Sequence, residues 1–166
     1  MKNIYIDGEW FANQTIFLIG YSYNSKEFGQ LYGSRLTKAS FLKILEPVNG
    51  FIFFYGPDIG MLEKFFDIDI RHNYKCINLL PLFKHLIPEL PSYKLAFLEK
   101  LFGIKRTTFK YKQNIRELEK DWLNPRKRKL ALQYNKEDVI FLYLLKSKIF
   151  ADLAVKSSYL KQHLFK

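Results

Sequence analysis

Cysteine is nearly missing: Cys76 is the only one in 166 residues. That excludes a disulfide framework and any cysteine-based zinc site. Cys76 lies in the apolar run KCINLL and reads as a small core residue. Histidine is sparse too, and His72, His85 and His163 share no motif, which places them on the surface or in loops. No apolar run approaches the length of a membrane span. The opening MKNIYIDGEW has neither the apolar core nor the small-residue cleavage site of a signal peptide. A cytoplasmic protein without a membrane partner is expected. Repeats and low-complexity linkers are also lacking, so residues 1–166 are expected to form a single domain. Acids are the scarce charge, 16 against 27 lysines and arginines, for a net +11. Such an excess favours a polyanionic partner, nucleic acid before membrane, because every neutralised phosphate releases counterions.

What is there is an apolar chain, 48% hydrophobic, ample for a core. The first third predicts strands: NIYID at 3–7, TIFLIGYSY at 15–23 and EFGQLYG at 27–33, joined by links short enough for antiparallel hairpins. LTKASFLKILEPV predicts a helix capped by Thr37 or Ser34 and stopped by Pro47. GFIFFYG at 50–56 is a buried central strand, a candidate for parallel pairing with the first. PDIGMLEKFF then predicts a helix with Pro57 at its first position. Cys76 and Ile77 end one more short strand, and NLLPLFKHLI is a short helix. SYKLAFLEKLFG predicts a helix from a Ser92 cap to a Gly103 stop, and IRELEKDWL another. A long helical segment runs from Pro125 to about Val155, with a break expected near Tyr134. The pattern predicts an α/β fold, a mixed sheet of about five strands flanked by helices.

Three places carry chemistry. Asp7 and Glu9 alternate at the end of the first strand, so both carboxylates face one way while Ile4 and Ile6 face the other. Two like charges side by side repel. A hard divalent cation removes that cost, so the pair makes a ledge for Mg²⁺ or Mn²⁺, with a solvated strand end as the plain alternative. Asp58 follows the FIFFYGP strand into the first helical turn, where the helix dipole alone also favours an acid. Tyr134 and Asp138 are one turn apart on a helix whose neighbours Leu130, Ile140, Phe141 and Leu144 suggest a packed face. There an aspartate needs a partner and a phenol can hold a water.

This ordered set resembles the DEDD superfamily of 3′–5′ exonucleases, in its tyrosine subgroup, on the ribonuclease H-like fold. The likeness is closest to compact stand-alone relatives of bacteria and archaea. It extends to LPSYKLAFLEKLFGIKR and YNKEDVIFLYLL and covers nearly the whole chain. The resemblance implies that Asp7, Glu9, Asp58 and Asp138 hold two Mg²⁺ or Mn²⁺ ions and that Tyr134 positions the attacking water. Gln133 stands where the histidine subgroup places its base, which excludes that variant. The middle motif departs from the family's N-x-x-x-F-D: here it is YGPD, shorter and without the asparagine. Asp67 and Asp69 are the fallback ligands. Asn78 stands where relatives often carry an aspartate.

Candidate strand contacts are Lys105, Arg106, Lys110 and Lys112, interleaved with Phe109 and Tyr111. Arg126 and Arg128 in NPRKRK, and Trp10 beside Glu9, complete the set. The expected activity is a two-metal 3′–5′ exonuclease acting on single-stranded DNA or frayed 3′ ends, with RNA open. The alternatives are an inactive nucleic-acid-binding or partner-docking module on the same fold and an endonuclease or resolvase. A domain that works with a helicase, polymerase or repair complex is compatible with the exonuclease chemistry.

Overall fold

A computed structural model describes residues 1–108, 111 and 115–165. Its centre is a five-stranded sheet in the order β3-β2-β1-β4-β5. The strands are β1 (Ile4–Trp10), β2 (Ile16–Ser22), β3 (Phe28–Tyr32), β4 (Phe51–Phe54) and β5 (Lys75–Asn78). β1, β2 and β3 pair antiparallel as two hairpins, while β4 and β5 add on parallel to β1. The helices are α1 (Lys38–Leu45), α2 (Asp58–Phe66), α3 (Ile70–Asn73), α4 (Leu79–Leu86), α5 (Leu95–Leu101), α6 (Ile115–Leu123) and α7 (Arg128–Asp152).

Alternation along the strands gives the sheet two apolar faces. Ile4, Ile6, Ile52 and Phe54 pack with Phe41 of α1, Ile59 and Leu62 of α2 and Ile70 of α3. Tyr5, Phe53 and Ile77 pack on the other side with Leu82 and Phe83 of α4, Leu98 of α5 and Leu142, Leu145 and Ile149 of α7. A third cluster joins Phe17 and Leu18 to Leu118 and Trp122 of α6 and Ala131 of α7. Covering both faces is what a sheet with parallel strands requires.

Local expectations hold in part. Thr37, not Ser34, caps α1, accepting from the Ser40 N–H. Asn78 caps α4 through the Leu80 N–H. Gly103 ends the turn after α5 at a positive φ of 69°, which glycine adopts without a Cβ penalty. Ser92 does not cap α5: its hydroxyl accepts from the Lys94 N–H, and the helix starts three residues later at Leu95. β1 runs on to Trp10, so Asp7 and Glu9 lie within the strand rather than at its end. The break expected near Tyr134 is absent. No glycine or proline follows Pro125 up to Asp152, and α7 runs unbroken for 25 residues. Its buried face is Ala131, Asn135, Asp138, Val139, Leu142, Leu145 and Ile149, a stripe at spacings of three and four. Leu130, expected on that face, is exposed, and Ile140, Phe141 and Leu144 flank it.

Candidate active site

The site forms where β1, the end of β4 and α7 meet. β1 and β4 stay paired only over Ile4–Tyr5 and Ile52–Phe53. Beyond Phe54 the chain leaves the sheet through Gly56, whose φ of 95° lets it turn into α2. Asn78 fixes this turn from the next strand: its amide oxygen accepts from the Gly56 N–H at 3.1 Å and its amide nitrogen donates to the Gly56 carbonyl at 2.9 Å. The turn delivers Asp58 against β1, where its Oδ1 accepts from the Gly8 N–H at 3.1 Å. The cleft thus opens at the carboxyl ends of adjacent parallel strands, the usual place for a ligand in such sheets.

Asp7, Gly8, Glu9, Trp10, Tyr55, Asp58, Tyr134 and Asp138 line this cleft of about 530 Å³ together with Lys94, Leu95 and Ala96. One carboxylate oxygen each from Asp7, Glu9 and Asp138 lies within 4.8 Å of the others. All five residues singled out for catalysis therefore share one cleft, although 131 positions of sequence separate Asp7 from Asp138. The fallback acids do not reach it. Asp67 ends α2 and Asp69 caps α3, both exposed.

Burial and crowding set the electrostatics. Glu9, Asp58 and Asp138 are 6%, 2% and 4% exposed, while Asp7 keeps part of its surface open. Asp7 is held well above the usual carboxylate range, first by burial and then by repulsion from Asp138, Glu9 and Asp58. Glu9 is raised likewise, by burial and then by Asp138 and Asp58. Burial pushes Asp58 up to about 7 despite the N–H of Gly8 and neighbouring backbone donors, with Asp138 adding to the rise. The Tyr134 phenol is also raised, by burial and then by Asp138, Glu9 and Asp7, so it stays protonated and able to donate. Carboxylates gathered at this cost are what a bound divalent cation stabilises, so the donor set fits Mg²⁺ or Mn²⁺. Asp7, Glu9, Asp58 and Asp138 would hold the ions.

Several supporting residues were not singled out from the sequence. Asn135 is fully buried and donates to Asp7 Oδ2 at 2.8 Å and to the Asp7 carbonyl at 3.3 Å. Its own oxygen accepts from Gln30 at 3.0 Å. An amide nitrogen only donates, so Asn135 favours the ionised Asp7 and opposes the burial. Room for it comes from Gly20, which faces Asp7 across the hairpin: a Cβ there would lie 2.3 Å from Asn135 Oδ1. An isolated glycine in an apolar strand is the sequence signal for such close approach. Asn135 itself stands inside the YNKEDV motif. Glu137, on the opposite flank, accepts from the Thr107 and Thr108 backbones at 3.2 and 3.1 Å, from both threonine hydroxyls and from Gln133. Burial alone would raise Glu137, but these bonds bring it down to about 2.

The candidate strand contacts separate. Trp10 lines the cleft and Lys105 is exposed beside it, on a groove that shares Ala96 with the cleft. Arg106 is buried at 5% exposure and pairs with Glu99 and Asp138. Arg126 is exposed. Arg128 donates to the Trp122 carbonyl at 3.0 Å, with its guanidinium over the Trp122 ring. Lys110 and Lys112 lie outside the described residues. Cys76 is buried, which pushes its thiol up to about 12, in keeping with a core residue. His72 and His85 are exposed, and the His163 ring packs tilted at 47° against that of His85, 5.2 Å away. Among the described residues no helix is long and apolar enough to cross a membrane.

No curated protein and no solved structure gives a significant match to the chain. A family profile described as RNase H superfamily matches residues 4–150. That span takes in every strand and all of the cleft's acids. With the mixed five-stranded sheet and its acidic cleft, the match means that the chain belongs to the RNase H superfamily.

Proposed function

We propose that the protein is a 3′–5′ exonuclease of the tyrosine DEDD type, acting on single-stranded DNA or frayed 3′ ends. Membership of the RNase H superfamily suggests nuclease chemistry on a nucleic acid, and such nucleases usually use divalent metals. The observation that carries the finer reading is the convergence of Asp7, Glu9 and Asp138 within 4.8 Å, with Asp58 and Tyr134 on the same cleft wall. Bound there, two cations would supply an activated water and stabilise the departing 3′ oxygen. The chain's own part is to hold the pieces. Asn135 fixes Asp7, and the Gly8 N–H fixes Asp58. Tyr134, kept protonated, orients the water as a donor. Trp10 and Tyr55 offer faces for the terminal base, and Lys94 offers a cation for a phosphate. The excess of basic residues draws the strand in.

The test uses a single-stranded DNA and an RNA of equal sequence, each labelled at the 5′ end, with Mg²⁺ or Mn²⁺. A ladder shortening from the 3′ end supports the reading. Direct release of short 5′ fragments would make the protein an endonuclease. Binding without cleavage in either metal would leave it a nucleic-acid-binding module.

A further inference from the structure

Arg106 stands in the segment between α5 and α6, outside the motif acids, yet it touches two of the residues assigned to chemistry. Its Nη2 donates to Asp138 Oδ1 at 2.5 Å. Its guanidinium carbon sits 5.0 Å from the centre of the Tyr134 ring and 5.1 Å from that of Phe141. Tyr134, Asp138 and Phe141 are spaced four and three apart, so Arg106 lies along one stripe of α7. The Nε–Nη2 edge of the guanidinium is clamped by Glu99 of α5, with Nη2 to Oε1 at 2.6 Å and Nε to Oε2 at 3.2 Å, so Nη2 serves both carboxylates. The next two residues, Thr107 and Thr108, are tied to Glu137 of α7 by their backbones.

This arrangement is poorly suited to a purely structural task. The side chains of Arg106, Glu99 and Asp138 are only 1%, 4% and 5% exposed. Buried ion pairs of this kind add little stability over apolar packing. Arg106 Nη1 is moreover the one buried side-chain polar atom without a hydrogen-bond partner among the described residues. Burial of that donor is a cost that a packing role does not require.

We propose that Arg106 is a positioning residue: a rigid fork, anchored by Glu99, that sets the carboxylate of Asp138 and the ring of Tyr134 for metal binding and catalysis. The proposal rests on the metal-dependent nuclease reading. A planar fork does this and an ammonium does not, because only the guanidinium bridges two carboxylates while its carbon lies over the rings of Tyr134 and Phe141.

The decisive variant is Arg106→Lys, which keeps the charge and loses the fork. Three quantities are measured: metal-free melting temperature, Mn²⁺ affinity by calorimetry, and kcat and KM on a labelled single-stranded oligonucleotide. We expect Mn²⁺ affinity and kcat each to fall roughly 10- to 100-fold, the range for a lost partner of a metal ligand. KM for the oligonucleotide should stay within about twofold, since the lost contact is not to the strand. Wild-type Mn²⁺ affinity and kcat in a folded Arg106→Lys protein would overturn the proposal, whatever its melting temperature. If that variant does not fold, Glu99→Gln releases the anchor alone and must weaken Mn²⁺ binding and lower kcat in the same sense; unchanged values overturn the proposal. A wild type that binds Mn²⁺ but cleaves nothing, with binding weakened in the variant, would retire the nuclease reading and leave the positioning role standing. A wild type that cleaves, with a variant that cleaves equally, does the reverse. A wild type that binds no Mn²⁺ overturns both.

Discussion

Replacing Asp58 by asparagine should make the metal-free protein more stable. The carboxyl is 2% exposed and is held at about 7 instead of its ordinary 3.8. A native group that binds its proton more tightly than the unfolded chain stabilises the fold at low pH and loses that contribution as pH rises from about 4 towards 7. At 1.36 kcal/mol for each tenfold change, ionising Asp58 in place costs on the order of 4 kcal/mol at neutral pH. Asparagine has the same shape, carries no charge and keeps an oxygen to accept from the Gly8 N–H at 3.1 Å. A stabilisation of that order follows at neutral pH and above, worth roughly 8–16 °C in a chain of this length. The assay is thermal melting of Asp58→Asn and wild type in EDTA at pH 4, 6 and 8. The gap should be small at pH 4, where the folded wild-type group is protonated and the unfolded one about half so, and largest at pH 8. A variant that melts below wild type at pH 8 would refute the reasoning, because the carboxylate would then be stabilised where it stands.

Other expectations follow from the same geometry. Gly20→Ala puts a Cβ 2.3 Å from Asn135 Oδ1, so Asn135 must move and release Asp7. A loss of roughly 1–3 kcal/mol in denaturant unfolding is expected, together with weaker Mn²⁺ binding by calorimetry. Tyr134→Phe removes the protonated phenol facing the acids. It should lower kcat by roughly 100-fold, the usual cost of one preorganised donor, with Mn²⁺ affinity nearly unchanged. Because Asp7, Glu9 and Asp58 are all raised, cation binding at pH 6 should release protons. Calorimetry in buffers of different ionisation enthalpy will detect that release, and it should shrink by pH 9.

The sheet was legible because its strands are short apolar runs bounded by glycine, proline and polar turns, and FIFFYG reads as buried on both faces. Four of the five residues that meet in the cleft were legible as pairs, because strand alternation puts Asp7 with Glu9 and helical spacing puts Tyr134 with Asp138 on common faces. Asp58 was harder, since its motif is shortened. The structure brings it to the cleft through a turn held by Asn78, a tertiary contact with no local signature. The same holds for Arg106, seven residues after Glu99 on the segment following α5, which joins Glu99 to Asp138 only in the fold. In the sequence IKRTTFKYK is a basic aromatic run, and nothing in it marks one arginine as buried. The break expected near Tyr134 falls in the polar QYNKED stretch. In the fold those polar groups are partnered: Asn135 by Asp7, Glu137 by the threonines and Asp138 by Arg106.

We propose that the four carboxylates form a two-ion centre. Its most direct measurement is Mn²⁺ titration followed by electron paramagnetic resonance on wild type and Asp7→Ala. Two bound ions close enough to couple magnetically are expected in the wild type, about 4 Å apart, with loss of the coupled signal in Asp7→Ala. A wild type that leaves all Mn²⁺ free in solution, or binds it equally well without Asp7, would contradict the account.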